Sequence, residues 1–301
     1  MYLDYFSLNK EPFSLTPDTR FFLDSGPFKN ALETLMVAVD NGEGFIKITG
    51  EVGTGKTLLC RKFLNSVSGD IVTSYIPNPN ISPKILLLAL AKELGVKSAV
   101  GVNEYSLHQL ITAKLITYYN ANKKVILCID EAQAMPDETL ESLRLLTNME
   151  TERSKLIQVV LFGQPELDEK LALRHLRQLR QRVSFSFKLE RLNKDVMINY
   201  ITHRLVMAGF SSSELFHQSA LNLLYRYSRG IPRLINILVH KALILCYGKG
   251  QRQISKAIMK QAIADTEDAY IEKKQRHYYQ RVIPGGLALA GAMAIGYRML
   301  S

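Results

Sequence analysis

At 301 residues with 47% hydrophobic side chains, the chain carries too much apolar material for a disordered segment and enough length for one medium domain and a smaller one. Its three cysteines, Cys60, Cys128 and Cys246, stand in apolar stretches without C-x-x-C spacing, which argues against a disulfide framework or a zinc site and suits a reducing cytosol. The net charge of +10 is unevenly placed: residues 1–190 carry 22 Lys+Arg against 22 Asp+Glu, and residues 191–301 carry 16 against 6. A basic C-terminal third suits nucleic acid, anionic lipid or bound nucleotide, or simply a solvated face, and charge alone does not choose among them. The start, Met1-Tyr2-Leu3-Asp4-Tyr5, has neither the basic residues nor the apolar run of a signal peptide.

Short apolar runs alternate with helical patterns through the first 190 residues, with strands expected at 44–49, 71–76, 124–129, 156–162 and 183–189. Helices are expected from about Lys56, over 83–94 and 105–120, and from Asp137, where acidic residues suit a helix N-terminus. That alternation is the signature of a parallel five-stranded sheet wrapped by helices. Past Glu190 the strand pattern stops, and four helices at 195–207, 217–228, 232–246 and 255–265 make a small helical domain. The expected organisation is an α/β domain over 1–190, a helical domain over 191–268, a basic linker over 269–281 and an apolar helix over 282–300.

Between the first strand and its helix lies Gly50-Glu51-Val52-Gly53-Thr54-Gly55-Lys56-Thr57, which fits the phosphate-loop pattern G-x-x-x-x-G-K-[ST]. Glycines let backbone N–H groups converge on phosphates, the helix N-terminus adds its positive end, Lys56 reaches the β- and γ-phosphates, and Thr57 offers a hydroxyl to Mg²⁺. The third strand, Val125-Ile126-Leu127-Cys128-Ile129, runs into Asp130-Glu131, a Walker B pattern. A buried parallel strand delivers Asp130 beside the loop to hold the Mg²⁺ shell, and Glu131 can act as general base toward the attacking water.

The next strand ends in Gly163-Gln164-Pro165-Glu166, so Gln164 is placed to hydrogen-bond the γ-phosphate or the lytic water, or to serve as an ordinary turn residue before proline. Arg174, Arg177, Arg180 and Arg182 cluster before the fifth strand, either covering a helix surface or reaching a neighbouring subunit's nucleotide; Arg182 is the first candidate for that reach and Arg180 the second. In Arg229-Gly230-Ile231-Pro232-Arg233 a proline opens a helix and Arg233 sits in its first turn, where a cation opposes the macrodipole and invites an anionic partner such as a nucleotide phosphate.

Near the end, an uncharged run over 282–297 follows Lys273, Lys274, Arg276 and Arg281, the pattern of a membrane anchor entered from the cytoplasm. At about 1.5 Å per residue the run reaches roughly 24 Å, short of the roughly 30 Å hydrocarbon core unless Arg298 snorkels, so a partner-packing helix remains open.

The order of these motifs resembles AAA+ ATPases. More narrowly, Tyr5-Phe6-Ser7-Leu8 with Pro12-Phe13, then Thr16-Pro17-Asp18-Thr19-Arg20-Phe21-Phe22, the phosphate loop, Gly163-Gln164-Pro165-Glu166-Leu167 and Gly230-Ile231-Pro232-Arg233-Leu234-Ile235-Asn236 resemble the ExeA/GspA group, over about residues 1–268. The resemblance implies a three-layer αβα AAA+ domain with a helical lid, using ATP and Mg²⁺, attached to the cytoplasmic face of a bacterial inner membrane. It further implies self-association into a ring with hydrolysis between subunits, Arg233 as the lid's sensor arginine, residues 17–22 beside the adenine, and service to a type II secretion or type IV, MSHA-like, pilus machine. Adenine specificity comes from the resemblance too, although no guanine-reading N-K-x-D is present. Members of the group continue into a peptidoglycan-binding domain, whereas this sequence stops at Ser301, so direct peptidoglycan binding is not expected. The competing expectation is a transposition-helper AAA+ protein that binds DNA through its basic lid; an apolar tail behind a basic cluster speaks for the membrane instead.

Overall fold

Five strands rich in large apolar residues pair in parallel in the order β2-β3-β4-β1-β5. The computed structural model describes residues 2–97, 101–150, 154–211 and 214–269. The expected apolar segment at 282–300, and all but the first residue of the basic linker at 269–281, lie outside the described residues. Among the described residues, no helix is long and apolar enough to cross a membrane.

The strands are β1 (Phe45–Gly50), β2 (Ile71–Ile76), β3 (Lys124–Ile129), β4 (Gln158–Gly163) and β5 (Phe185–Leu189). The expected positions hold to within two residues at each end. β3 and β4 are central and buried almost throughout, which is why both read as continuous apolar runs instead of alternating ones. β5 lies at an edge and alternates half-buried Phe185 and Phe187 with exposed Ser186 and Lys188. The one polar side chain at the start of β4, Gln158, is buried, and its amide donates to the carbonyls of Val39 at 3.2 Å and Glu43 at 2.9 Å. Its burial therefore leaves no unpaired donor there.

The helices are α1 (Tyr2–Tyr5), α2 (Gly26–Asp40), α3 (Lys56–Ser66), α4 (Pro83–Glu93), α5 (Glu104–Asn120), α6 (Asp137–Thr147), α7 (Pro165–Leu171), α8 (Arg177–Arg182), α9 (Lys194–Met207), α10 (Gln218–Ser228), α11 (Pro232–Gly248) and α12 (Lys256–Ala264). Leu86, Leu90, Leu107, Ile111, Leu115, Leu140 and Leu143 of α4, α5 and α6 pack on Val125, Leu127, Val159 and Leu161 to form the larger core layer. Asn103 starts α5 by accepting a hydrogen bond from the Ser106 N–H at 2.8 Å. Helix α2 was not expected from the sequence: it fills the other face with Phe28, Ala31, Leu35, Ala38 and Val39.

Contacts divide the chain into two compact units, one spanning Thr16–Met207 and the other joining Met1–Leu15 to the chain from Ala208 onward. The division expected at 190 therefore falls after α9, and residues 1–15 leave the α/β unit. In the first unit α9 buries Met197, Tyr200, Ile201 and Leu205, and the Arg204 guanidinium lies 4.8 Å from the Phe21 ring centre. In the second, the Asn9 N–H donates to the Ala208 carbonyl at 2.7 Å, and the Arg252 guanidinium stacks 4.0 Å over the Tyr5 ring. α10, α11 and α12 pack on one another in that unit, burying Leu224, Ile235, Val239, Leu243, Met259 and Ile263.

Candidate functional site

Parallel strands deliver their C-terminal ends to one edge, and in an open α/β sheet ligands bind in the crevice outside that edge. Here β1 ends at Gly50, β3 is followed by Asp130 and β4 by Gln164. The registers Thr49↔Gly163 and Ile129↔Leu161 keep the three ends level. The chain's phosphate-loop and Walker B residues thus meet because of topology, although 80 residues of sequence separate Gly50 from Asp130.

The loop over 50–57 is held open by backbone conformations that other residues reach only with strain. Gly53 has φ 79° and Gly55 φ 98°, and Gly55 caps α3. A Cβ on Gly55 would stand 2.9 Å from the Phe28 ring, and one on Gly50 would stand 3.0 Å from the Leu189 carbonyl oxygen. Lys56 is only 5% exposed, and its ammonium donates to the carbonyls of Gly50 at 2.8 Å and Glu51 at 2.9 Å. Burial pulls its pKa below the ordinary lysine value, against the attraction of Glu131, Asp130, Glu166 and Glu51. A buried cation at the mouth of an open glycine loop fits a polyphosphate, which would supply the charge that burial withholds.

Asp130 is 2% exposed. Burial raises its carboxyl above the ordinary value, opposed by hydrogen bonds from the Thr57 hydroxyl and the Glu131 N–H, the latter at 2.9 Å to Oδ1. The Tyr75 hydroxyl approaches Oδ2 at 3.5 Å. Thr57 and Asp130 thus offer two neighbouring oxygen ligands, the usual protein share of a Mg²⁺ shell completed by water and substrate phosphates.

Glu131 occupies the left-handed region, φ 51° and ψ 37°, a conformation that costs a non-glycine residue on the order of 1 kcal/mol. A 3₁₀ turn, Ala132–Ala134, follows. Its carboxylate Oε2 accepts from the Gln133 amide at 2.6 Å and the Gln164 amide at 3.2 Å. Lys170 of α7 braces the turn by donating to the carbonyls of Gln133 and Met135.

The structure therefore brings Gly50, Glu51, Val52, Gly53, Thr54, Gly55, Lys56, Thr57, Asp130, Glu131 and Gln164 together. Arg182 it does not: that side chain donates to the Thr147 carbonyl at 3.4 Å and lines a cavity of about 680 Å³ with Gly44 and Phe45, at the start of β1 and the opposite edge of the sheet. Arg233 belongs to the other compact unit, exposed in the first turn of α11. Residues 17–22 lie against α3 and α9: the Pro17 carbonyl accepts from Arg61 at 3.2 Å, and Lys62 stands 5.7 Å over the Phe22 ring.

Phe28, Gln133 and Arg191 escaped the sequence reading. Arg191, just past β5, binds Glu51 of the loop through two hydrogen bonds. No local pattern marks these residues, except that Gln133 lies two positions beyond Glu131.

A phosphate loop, a Walker B pair and a polar β4 tip on a 2-3-4-1-5 parallel sheet define an AAA-type P-loop protein. Residues 39–171 match the family described as an AAA domain. The chain is ExeA/GspA-like: it is 38% identical over 254 residues, 84% of its length, to general secretion pathway protein A of Aeromonas hydrophila. It spans 46% of that relative's length. Among solved structures the fold is similar to the ORC2 protein of Aeropyrum pernix in ADPNP–ADP complexes, with TM-score 0.65 at 15% identity, covering 85% of this chain and 72% of that one. It is also similar to Cdc6p of Pyrobaculum aerophilum, with TM-score 0.65 at 16% identity, covering 84% and 70%. A Walker-type ATPase of Pyrococcus abyssi gives TM-score 0.60 at 16% identity, covering 91% and 81%. At these identities the likeness establishes the fold and nothing more.

Proposed function

We propose that this chain is a Mg²⁺-dependent ATPase that drives or regulates assembly of a secretion or type IV, MSHA-like, pilus machine at the cytoplasmic face of a bacterial inner membrane. The observation that carries the hydrolytic part is the convergence of buried Lys56, the Thr57–Asp130 oxygen pair and the Glu131 carboxylate at one sheet edge. Lys56 exchanges its loop carbonyls for the β- and γ-phosphates, and Glu131 takes a proton from the attacking water. Gln164 hydrogen-bonds the γ-phosphate or the lytic water, a role supported by its bond to Glu131.

Arg182, with Arg180 second, acts on the nucleotide of a neighbouring copy, because its own chain holds it at the far edge of the sheet. Hydrolysis then requires self-association, in keeping with a ring. Arg233 serves as the arginine that the helical unit brings to the phosphates. The similarity to general secretion pathway protein A supports the secretion role, and the apolar run at 282–300 behind its basic cluster supports membrane attachment.

Two experiments test this reading. A Glu131→Gln chain expressed beside the wild type in the source bacterium is expected to stall secretion or pilus assembly, and normal assembly would contradict the assigned role. In membrane fractionation, the full chain is expected in the pellet and a version ending at Asp268 in the supernatant. Equal partitioning removes the anchor, and salt-dependent DNA binding at physiological ionic strength would then favour the transposition-helper alternative.

A further inference from the structure

Glu131 is held by a residue that none of the motifs contains. Its Oε2 accepts from Gln133 Nε2 at 2.6 Å, while Gln133 Oε1 accepts from the Gln164 backbone N–H at 3.0 Å. One side-chain amide thus joins the acid after β3 to the tip of β4 and uses a different atom for each. The Gln164 side chain reaches the same Oε2 at 3.2 Å, so both amides crowd one oxygen of Glu131. Lys170 fixes the backbone carbonyl of Gln133 itself, and Leu167 packs where a Cβ on Gly163 would otherwise go, 2.7 Å from its Cδ2.

We infer that Gln133 is a positioning residue for hydrolysis, holding Oε2 of Glu131 so that the other carboxylate oxygen, Oε1, is the one turned to the water. A glutamate has three side-chain torsions, and a general base works only when the proton it takes is within about 2.6–3.2 Å. The left-handed backbone at Glu131 fixes where the side chain starts. The two amide bonds fix where it ends. An oxygen already accepting two N–H groups is a poor proton acceptor, so the division of labour between the two oxygens follows from the geometry. Gln133 touches neither nucleotide nor water in this account and acts through Glu131 alone. The inference rests on Glu131 being the base.

The test uses the full chain with steady-state ATP hydrolysis, and binding of a fluorescent ATP analogue read separately. Gln133→Met keeps length and removes both hydrogen bonds. Gln133→Glu keeps an acceptor for the Gln164 N–H but replaces the donor to Glu131 with a like charge. Both are expected to lower kcat by about tenfold, the scale of one lost hydrogen bond to a charged group, with KM and nucleotide affinity unchanged. In a Glu131→Gln background, Gln133→Met is expected to add no further loss, because the two residues act as a unit. Wild-type kcat in Gln133→Glu would overturn the inference in favour of a simple brace on β4. So would a fall in affinity or melting temperature that parallels the fall in kcat, or losses that multiply in the double variant. Unchanged hydrolysis in Glu131→Gln by itself would instead remove the general-base reading, a result distinct from any failure of Gln133.

Discussion

Arg191 grips Glu51 through two hydrogen bonds, Nε to Oε1 at 3.0 Å and Nη2 to Oε2 at 2.5 Å. Glu51 is the second residue of the phosphate loop, where a carboxylate would otherwise repel the polyphosphate. The paired guanidinium cancels that charge and ties the loop to the chain just past β5. Both side chains are about two-fifths exposed, so the effect is screened by water and salt. Arg191→Ala is expected to weaken ATP binding by roughly threefold, and Glu51→Gln in the same chain to restore it. Titration with a fluorescent ATP analogue at low and high salt checks this; a loss that Glu51→Gln fails to repair would mean that Arg191 acts on something other than Glu51.

Gly55 combines a left-handed backbone with a ring packed against it. With φ 98° and the Phe28 ring 2.9 Å from the place of a Cβ, Gly55→Ala is expected to distort the loop and abolish nucleotide binding. Because the backbone is strained whatever the space, Phe28→Ala is not expected to rescue it. Circular dichroism shows whether the fold survives, and binding by the folded variant at wild-type affinity would contradict the account.

Asp130 stands where function and stability oppose one another. Burial raises its pKa above the ordinary 3.8 even with Lys56 nearby, so the native state holds the proton more tightly than the unfolded chain. Stability therefore falls as pH rises from the unfolded value through the raised one, and the penalty is fully present above both. Asp130→Asn removes the charge. It is expected to melt higher than the wild type at neutral pH in the absence of nucleotide, with the gap closing in acid, while losing Mg²⁺-dependent hydrolysis. A lower melting temperature at neutral pH would show that the carboxylate stabilises the fold.

How much of this was legible beforehand depended on how local each cause is. The strands at 71–76 and 124–129 coincide with the expected ones; for β3 the cause is local, because a buried parallel strand must be a run of large apolar residues whatever surrounds it. The phosphate loop and Asp130-Glu131 were legible for a similar reason, since their chemistry demands fixed residue types at fixed spacing. Phe28, Gln133 and Arg191 act through contacts that only the folded sheet creates: a ring against Gly55, an amide between two strand ends, a guanidinium on a loop 140 positions earlier. Helix α2 hid because its sequence opens with Gly26-Pro27, which reads as a turn, although proline is at ease in a first helical turn. The domain boundary was placed at the end of the strand pattern, but the packing of the Arg204 guanidinium on Phe21 and of the Tyr200 ring near Phe28 keeps α9 with the sheet.

The most direct test of the central claim is the chemical step itself, measured by rapid quench with the wild type and Glu131→Gln each in excess over ATP, at saturating Mg²⁺. Glu131→Gln keeps the shape of the side chain but cannot accept the water's proton. The expected result is hydrolysis slowed by about 100-fold or more with ATP affinity retained. Equal rates in the two proteins would contradict the assignment of Glu131 and, with it, the catalytic reading of this sheet edge.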